Sequence, residues 1–220
     1  MKHLLVLTVL LACQQLNAQP FNPATARYAK DIAAFAERDQ EQAALIAQTP
    51  TLFVGSSTFT LWKDVGEYFP GQLILNRAFG GSNLADQIYW LPEVLLKYQP
   101  RKIVLYCGEN DVAAGASAEM VADRFRVWFR QVRKQLPDSE IVYVSMKPSP
   151  AREKFIHVMQ QGNLLIMKFI AEQERAHYAD IAPLMVNPDG QPRTDIFTED
   201  MLHMNKAGYQ LWQKALAPYL

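Results

Sequence analysis

The run TLFVGSS at residues 51–57 starts as a strand fit for burial and halts at a glycine followed by two serines. Such a stop is either a plain strand-to-loop turn, where a serine hydroxyl caps the next helix, or the seat of a nucleophile. The stretch alone does not choose between them.

Similar apolar, β-rich runs recur along the chain: QLILNRAF (72–79), KIVLYCG (102–108), EIVYVS (140–145) and DIAPLMV (180–186). Each is short enough for a buried strand. Helical patterns lie between them. The clearest spans Ser117 to Leu136, where Val121, Phe125, Trp128, Phe129, Val132 and Leu136 fall on one face. A second follows KPSPAR, with Phe155, Val158, Met159, Leu165, Ile166, Phe169 and Ile170 on one side. Residues 24–47 and 206–219 also have helical spacing. Strands alternating with helices imply right-handed crossovers and a mostly parallel sheet covered on both faces. The expectation is a three-layer α/β/α, flavodoxin-like domain with a five-stranded parallel sheet, and no repeat or linker divides residues 19–220.

The chain has 220 residues, half of them hydrophobic, which suffices for one full core. Its 22 basic residues balance 22 acidic ones, so no global charge draws it to nucleic acid or an anionic membrane. A small or neutral partner fits better. The N-terminus, MKHLLVLTVLLACQQLNAQP, has a basic start, an apolar run from Leu4 to Ala12 and a polar tail, which is the pattern of a secretory signal. It is too short to span a bilayer as a stable helix. Cleavage is expected after Ala18, so the mature protein would be secreted or periplasmic without a transmembrane helix. Lipid attachment at Cys13 is the alternative, since LLAC loosely resembles a lipobox. After cleavage Cys107 is the remaining cysteine, so no internal disulfide forms.

In open α/β sheets, sites form at the carboxyl ends of the strands. Four polar segments meet that condition: Gly55-Ser56-Ser57, FGGSN (79–83), GEND (108–111) and TEDMLHMN (198–205), the last with one of four histidines. A serine hydroxyl needs a base, and the base needs an acid to hold its tautomer. Asp200 and His203 are three residues apart, and on a helical turn or tight loop both side chains reach the same side. Each feature has an ordinary reading. The D-x-x-H pair can be a solvated cap and a surface histidine, Ser57 a helix cap, Gly80-Gly81 a tight turn, and Asn110 an Asx-turn. Their order at consecutive site positions carries more weight than any one of them.

Together the four segments resemble the sequence blocks of the SGNH (GDSL-type) hydrolase superfamily, over residues 51–216. That resemblance implies the flavodoxin-like fold and a serine esterase. Gly55-Ser56-Ser57 matches the G-D-S block, with Ser57 as nucleophile, and Asp200 and His203 match the D-x-x-H block as acid and base. Gly81 in NRAFGGSN and Asn110 in GEND match the remaining blocks. The implied oxyanion donors are the backbone N–H groups of Ser57 and Gly81 and the amide of Asn110. No cofactor or metal is implied. The chain departs from the pattern at Ser56, which stands where the name-giving aspartate usually is, leaving open how the first loop is braced. Phe59 also excludes a G-x-S-x-G elbow at Ser57.

The expected substrate is a small ester with a short or acetyl acyl group, on an acylated carbohydrate or a lysolipid. Lysophospholipase or thioesterase chemistry with the same triad, acyl transfer to a sugar, and a non-catalytic envelope ligand-binding protein are the alternatives. Lys147 and Arg152 in SMKPSPAR (145–152) lie after the fourth strand, at the same end of the sheet. Either can bind a substrate phosphate or carboxylate, but solvated surface charges are the favoured reading for both. Arg77 and Arg193 share that ambiguity. Trp62, Trp90, Trp128 and Trp212 read as packing rather than sugar platforms, and Cys107 as a small buried hydrophobe. Glu109 and Asp111 point different ways in most loops, and no His or Cys joins them to make a metal site.

Overall fold

The computed structural model describes residues 23–220, so the leader and Cys13 lie outside the described residues. Five parallel strands form one sheet in the order β2-β1-β3-β4-β5. They are β1 (Thr51–Gly55), β2 (Ile74–Asn76), β3 (Lys102–Tyr106), β4 (Glu140–Val144) and β5 (Ala176–Ala179). Helices α1 (Ala29–Glu41) and α2 (Ala43–Ile46) precede β1, and α3 (Ser57–Leu61) and α4 (Val65–Tyr68) follow it. Helices α5 (Leu84–Tyr89) and α6 (Leu91–Val94) connect β2 to β3, while α7 (Glu109–Ala113) and α8 (Ala118–Gln135) connect β3 to β4. Helix α9 (Ile156–Ile170) leads into β5, and α10 (Lys206–Leu216) closes the described chain.

The central strands β1, β3 and β4 are apolar after their first residue because both faces are covered, and their period of two divides the core. Leu52, Val54, Ile103, Leu105, Ile141 and Tyr143 point to one side, against α1, α8 and α9. Phe53, Val104, Tyr106, Val142 and Val144 point to the other, against Phe59, Trp62, Tyr209 and Trp212. Trp62, Trp128 and Trp212 are fully buried, in agreement with the packing role read from sequence.

Two strands differ from expectation. Strand β2 is three residues long, shorter than the expected run of 72–79. It is an edge strand paired only to β1, and the Asn76 side chain turns the backbone by accepting the Ala78 N–H at 3.0 Å. The fifth strand is Ala176–Ala179, and the expected segment 180–186 contains instead a 3-10 turn, Ala182–Met185. Pro183 lacks the N–H a ladder needs. The Ser145 hydroxyl accepts the Ile181 and Ala182 N–H groups at 2.9 and 3.2 Å, and Ile181 and Met185 are buried one turn apart. The predicted helix 24–47 is divided into a 3-10 segment (Pro23–Tyr28), α1 and α2, with the break at Gln42.

The carboxyl ends of β1 and β3 come together at one close approach. Gly55 has φ +138, and a Cβ there would lie 2.0 Å from the Tyr106 carbonyl oxygen. Gly55→Ala should therefore destabilise the protein by at least about 2 kcal/mol in urea denaturation. A loss below about 0.5 kcal/mol would contradict the close approach.

Candidate active site

Four loops converge at this edge. Past Gly55, Ser56 takes an extended conformation and α3 begins at Ser57. The Ser56 carbonyl accepts the Phe59 and Thr60 N–H groups at 3.1 Å, and Tyr209 on α10 donates its hydroxyl to the Thr58 carbonyl at 2.8 Å. As the first residue of its helix, Ser57 has no intrahelical acceptor for its N–H.

The loop after β2 runs beside it. Phe79 donates its N–H to the Gly55 carbonyl at 3.0 Å, and buried Gln87 reaches the same carbonyl at 3.1 Å and the Ser82 hydroxyl at 2.8 Å. A Cβ on Gly80 would lie 3.8 Å from the Ser57 Cβ, so this loop packs directly on the serine. Gly81 has φ +78, where glycine bears no steric cost. Neither the Ser57 nor the Gly81 N–H has an acceptor among the described residues. Asn83 then caps α5 in a reciprocal capping box with Asp86.

From the loop after β3, Asn110 donates its amide to the Ser56 hydroxyl at 2.8 Å and to the Ser82 carbonyl at 3.0 Å. Ser56, the departure from the G-D-S pattern, thus braces the first loop against the third as a neutral acceptor. The next residue, Asp111, is fully buried and accepts from the Leu84 N–H at 2.9 Å and Arg124 at 2.7 Å. Burial pushes its carboxyl above the usual range, and those two donors pull it back.

Asp200 and His203 lie on a tight loop before α10. His203 Nε2 is 2.9 Å from Ser57 Oγ, and His203 Nδ1 is 2.5 Å from Asp200 Oδ2. The other Asp200 oxygen accepts the Thr198 hydroxyl at 2.8 Å and the Leu202 and His203 N–H groups at 2.9 Å. Desolvation pushes the Asp200 carboxyl up, but the hydrogen bonds from His203, Leu202 and Thr198 outweigh it and hold it well below the usual carboxylate range. The loop is fastened by Thr198 N–H to the His203 carbonyl and by Asn205, which caps α10.

The sequence model of the GDSL-like lipase/acylhydrolase family matches residues 53–211. This chain belongs to that family. It is 28% identical over 171 residues to human platelet-activating factor acetylhydrolase IB subunit alpha1, covering 72% of this chain and 69% of the relative. A Streptococcus pneumonia structure, solved as a candidate platelet activating factor, superposes with a TM-score of 0.69 at 20% identity, over 90% of this chain and 99% of that one. A catalytic mutant of an acetylxylan esterase from Geobacillus stearothermophilus gives 0.62 at 13% identity, over 76% and 92%. At those identities the two structures speak for the fold.

Within this acylhydrolase family member, all five sequence-predicted site residues, Ser57, Gly81, Asn110, Asp200 and His203, lie at the one sheet edge. The outlying cations divide. Lys147 is not a solvated surface charge: it is buried, with Nζ 3.1 Å from both carboxylate oxygens of Glu109 and 3.4 Å from the Tyr106 hydroxyl. Arg77 is buried too, bonded to Asp39, Gln42, Tyr98 and the Asn76 carbonyl, and ties α1 to the sheet edge. Arg193 pairs at the surface with Asp195. Arg152 approaches Asn110 Oδ1 at 3.4 Å. Glu109 and Asp111 turn to separate cations, Lys147 and Arg124. Cys107 is buried, and burial pushes its thiol well above the ordinary value.

Sequence reading missed the braces: Ser56, Gln87 and the Lys147–Glu109 pair that fixes the start of α7 one residue before Asn110. No local signal marks Lys147, which meets Glu109 from 38 residues away. Breaking a buried pair on one side leaves an uncompensated charge. Lys147→Met should cost about 3–5 kcal/mol of unfolding free energy, and adding Glu109→Gln should recover part of it. A single variant as stable as the parent would contradict the burial.

Proposed function

We propose that this acylhydrolase is a serine esterase of small, short-chain or acetyl esters, secreted or periplasmic once residues 1–18 are removed. The observation that carries the reading is the relay from Asp200 through His203 to Ser57, at 2.5 and 2.9 Å, beside two backbone N–H groups with no acceptor among the described residues.

In this reading Ser57 Oγ attacks the ester carbonyl carbon while His203 Nε2 takes the hydroxyl proton, and the carbonyl electron pair moves onto oxygen. The Ser57 and Gly81 N–H groups and the Asn110 amide donate to that oxyanion. Both Asn110 amide hydrogens have acceptors in the ligand-free chain, so the oxyanion takes up a donor already aimed by Ser56 and Ser82. Collapse expels the alcohol, which receives the proton from His203. Water, deprotonated by His203, then attacks the acyl-enzyme and frees Ser57. Asp200 holds the imidazole tautomer and offsets the charge that forms on it.

A short acyl group is favoured by the acetylhydrolase and acetylxylan esterase names of the relatives. A cleft of about 870 Å³ ends at Gly80 beside the serine, its wall divided between polar side chains, among them Arg38, Gln42, Thr60, Lys63 and Asn76, and apolar ones, among them Phe35, Val65, Ile74 and Phe79.

Treating residues 19–220 with a fluorophosphonate and mapping the adduct by mass spectrometry tests the reading. Label is expected at Ser57, and His203→Ala should abolish it. Hydrolysis of an acetyl ester should fall by about 10⁴ or more in Ser57→Ala and by about 10²–10³ in Asn110→Ala. Label on another serine, or ligand binding unchanged by Ser57→Ala without turnover, would favour a binding protein instead.

The pH profile follows from Asp200. Its carboxyl is held well below the usual carboxylate range by the hydrogen bonds it accepts, so it stays ionised throughout the neutral and mildly acidic range. Titration of Asp200 followed by NMR should give a midpoint below the ordinary value of about 3.9, and a midpoint at or above that value would contradict the hydrogen bonds that hold it down. The same sign governs stability: the Asp200 contribution is complete above the unfolded value of about 3.9 and is lost only below it.

A further inference from the structure

The loop after β4 places one cation at the site that nothing neutralises. Arg152 is half-buried, and among the described residues its guanidinium forms no ion pair with a carboxylate. The neighbouring pairs are closed: Lys147 with Glu109, Arg27 with Asp86, and His203 with Asp200. Its hydrogen bond, to the neutral Asn110 Oδ1, is long at 3.4 Å and leaves most of its five donors unused.

Its position is fixed rather than trailing. Pro148 and Pro150 restrict the backbone on either side of Ser149. The Arg152 N–H donates to the Ser149 carbonyl at 3.0 Å, and the Ala151 N–H donates to the Met201 carbonyl at 3.0 Å. That second bond joins the loop to the segment between Asp200 and His203. Arg152 therefore has Asn110 at its guanidinium and, through the backbone of the adjacent Ala151, the Asp200–His203 segment beside it.

We infer that Arg152 is a specificity residue that binds an anionic group, carboxylate or phosphate, on the alcohol portion of the ester. This rests on the esterase reading above and names its substrate class. A planar guanidinium with open donors matches either anion bidentately. Half-burial strengthens the contact relative to open water. The anion would approach as the alcohol settles against His203, so the gain appears in substrate binding and leaves the chemical step to the triad.

Acetyl esters of one phenol carrying a carboxylate, a phosphate or a carboxamide at the same ring position test it. The parent protein should prefer one or both anionic esters to the carboxamide by about tenfold or more in kcat/KM, and the favoured anion separates a sugar-acid type of alcohol from a phosphorylated one. Arg152→Gln should erase the preference through KM while keeping the carboxamide ester within about twofold. Arg152→Lys should retain part of it. Fluorophosphonate labelling of Ser57 in Arg152→Gln reports that the site is still assembled. Equal loss on all three esters would make Arg152 a support of Asn110 and overturn the inference, as would a parent protein without preference. No label at Ser57 in the parent would overturn the esterase reading itself.

Discussion

The backbone of β1 reaches its end pressed against β3, with room at position 55 for hydrogen alone: a Cβ would meet the Tyr106 carbonyl at 2.0 Å. The remaining geometry depends on that contact. Because Gly55 can hold φ +138, the chain turns out of the sheet within one residue, and Ser57 starts a helix at the edge instead of continuing a strand. The Gly55 carbonyl then faces the loop after β2 and receives both the Phe79 N–H and the Gln87 amide. One peptide thus aims the serine and holds the loop that carries Gly81.

The other loops are joined by the same economy of short polar contacts. Asp111 links the β3 loop to the Leu84 N–H, Asn110 links it to Ser56 and Ser82, and Ala151 links the β4 loop to the segment carrying His203. Each neutral bond contributes only about 1 kcal/mol net. Their effect is on position, since a loop held at several points cannot shift the reacting atoms apart. The buried pairs Lys147–Glu109 and Arg77–Asp39 act likewise: a buried pair adds little net stability, yet losing one partner is costly.

What could be read in the sequence depended on how local the cause was. The short apolar runs of β1, β3 and β4 and the face of α8 come from near neighbours and were legible. Asp200 and His203 were legible only through the order of the four segments and the family resemblance, since a D-x-x-H pair by itself reads equally as a solvated cap and a surface histidine. The fifth strand was misplaced because its apolar successor, DIAPLMV, has the better strand composition, while pairing to β4 and Pro183 decide the outcome. Lys147 and Arg77 read as surface charges since their partners are 38 residues distant in sequence in both cases. The unpaired state of Arg152 was equally hidden, because it depends on the folded positions of carboxylates such as Glu109 and Asp200, which pair with Lys147 and His203.

Ser56 and Arg152 bear on the two ends of one amide, and that links the departure in the first block to the charge of the site. The Asn110 nitrogen donates to Ser56, while its oxygen faces the guanidinium. An aspartate at position 56 would brace the amide at least as firmly and would also set a negative charge beside Arg152. The serine braces without that charge. Opposite unit charges brought near each other at a partly buried site attract more strongly than they would in open water. With a neutral residue at 56, that attraction is not spent within the protein, and the guanidinium keeps its full field for whatever anion enters beside His203. The brace and the open cation are two consequences of one residue choice.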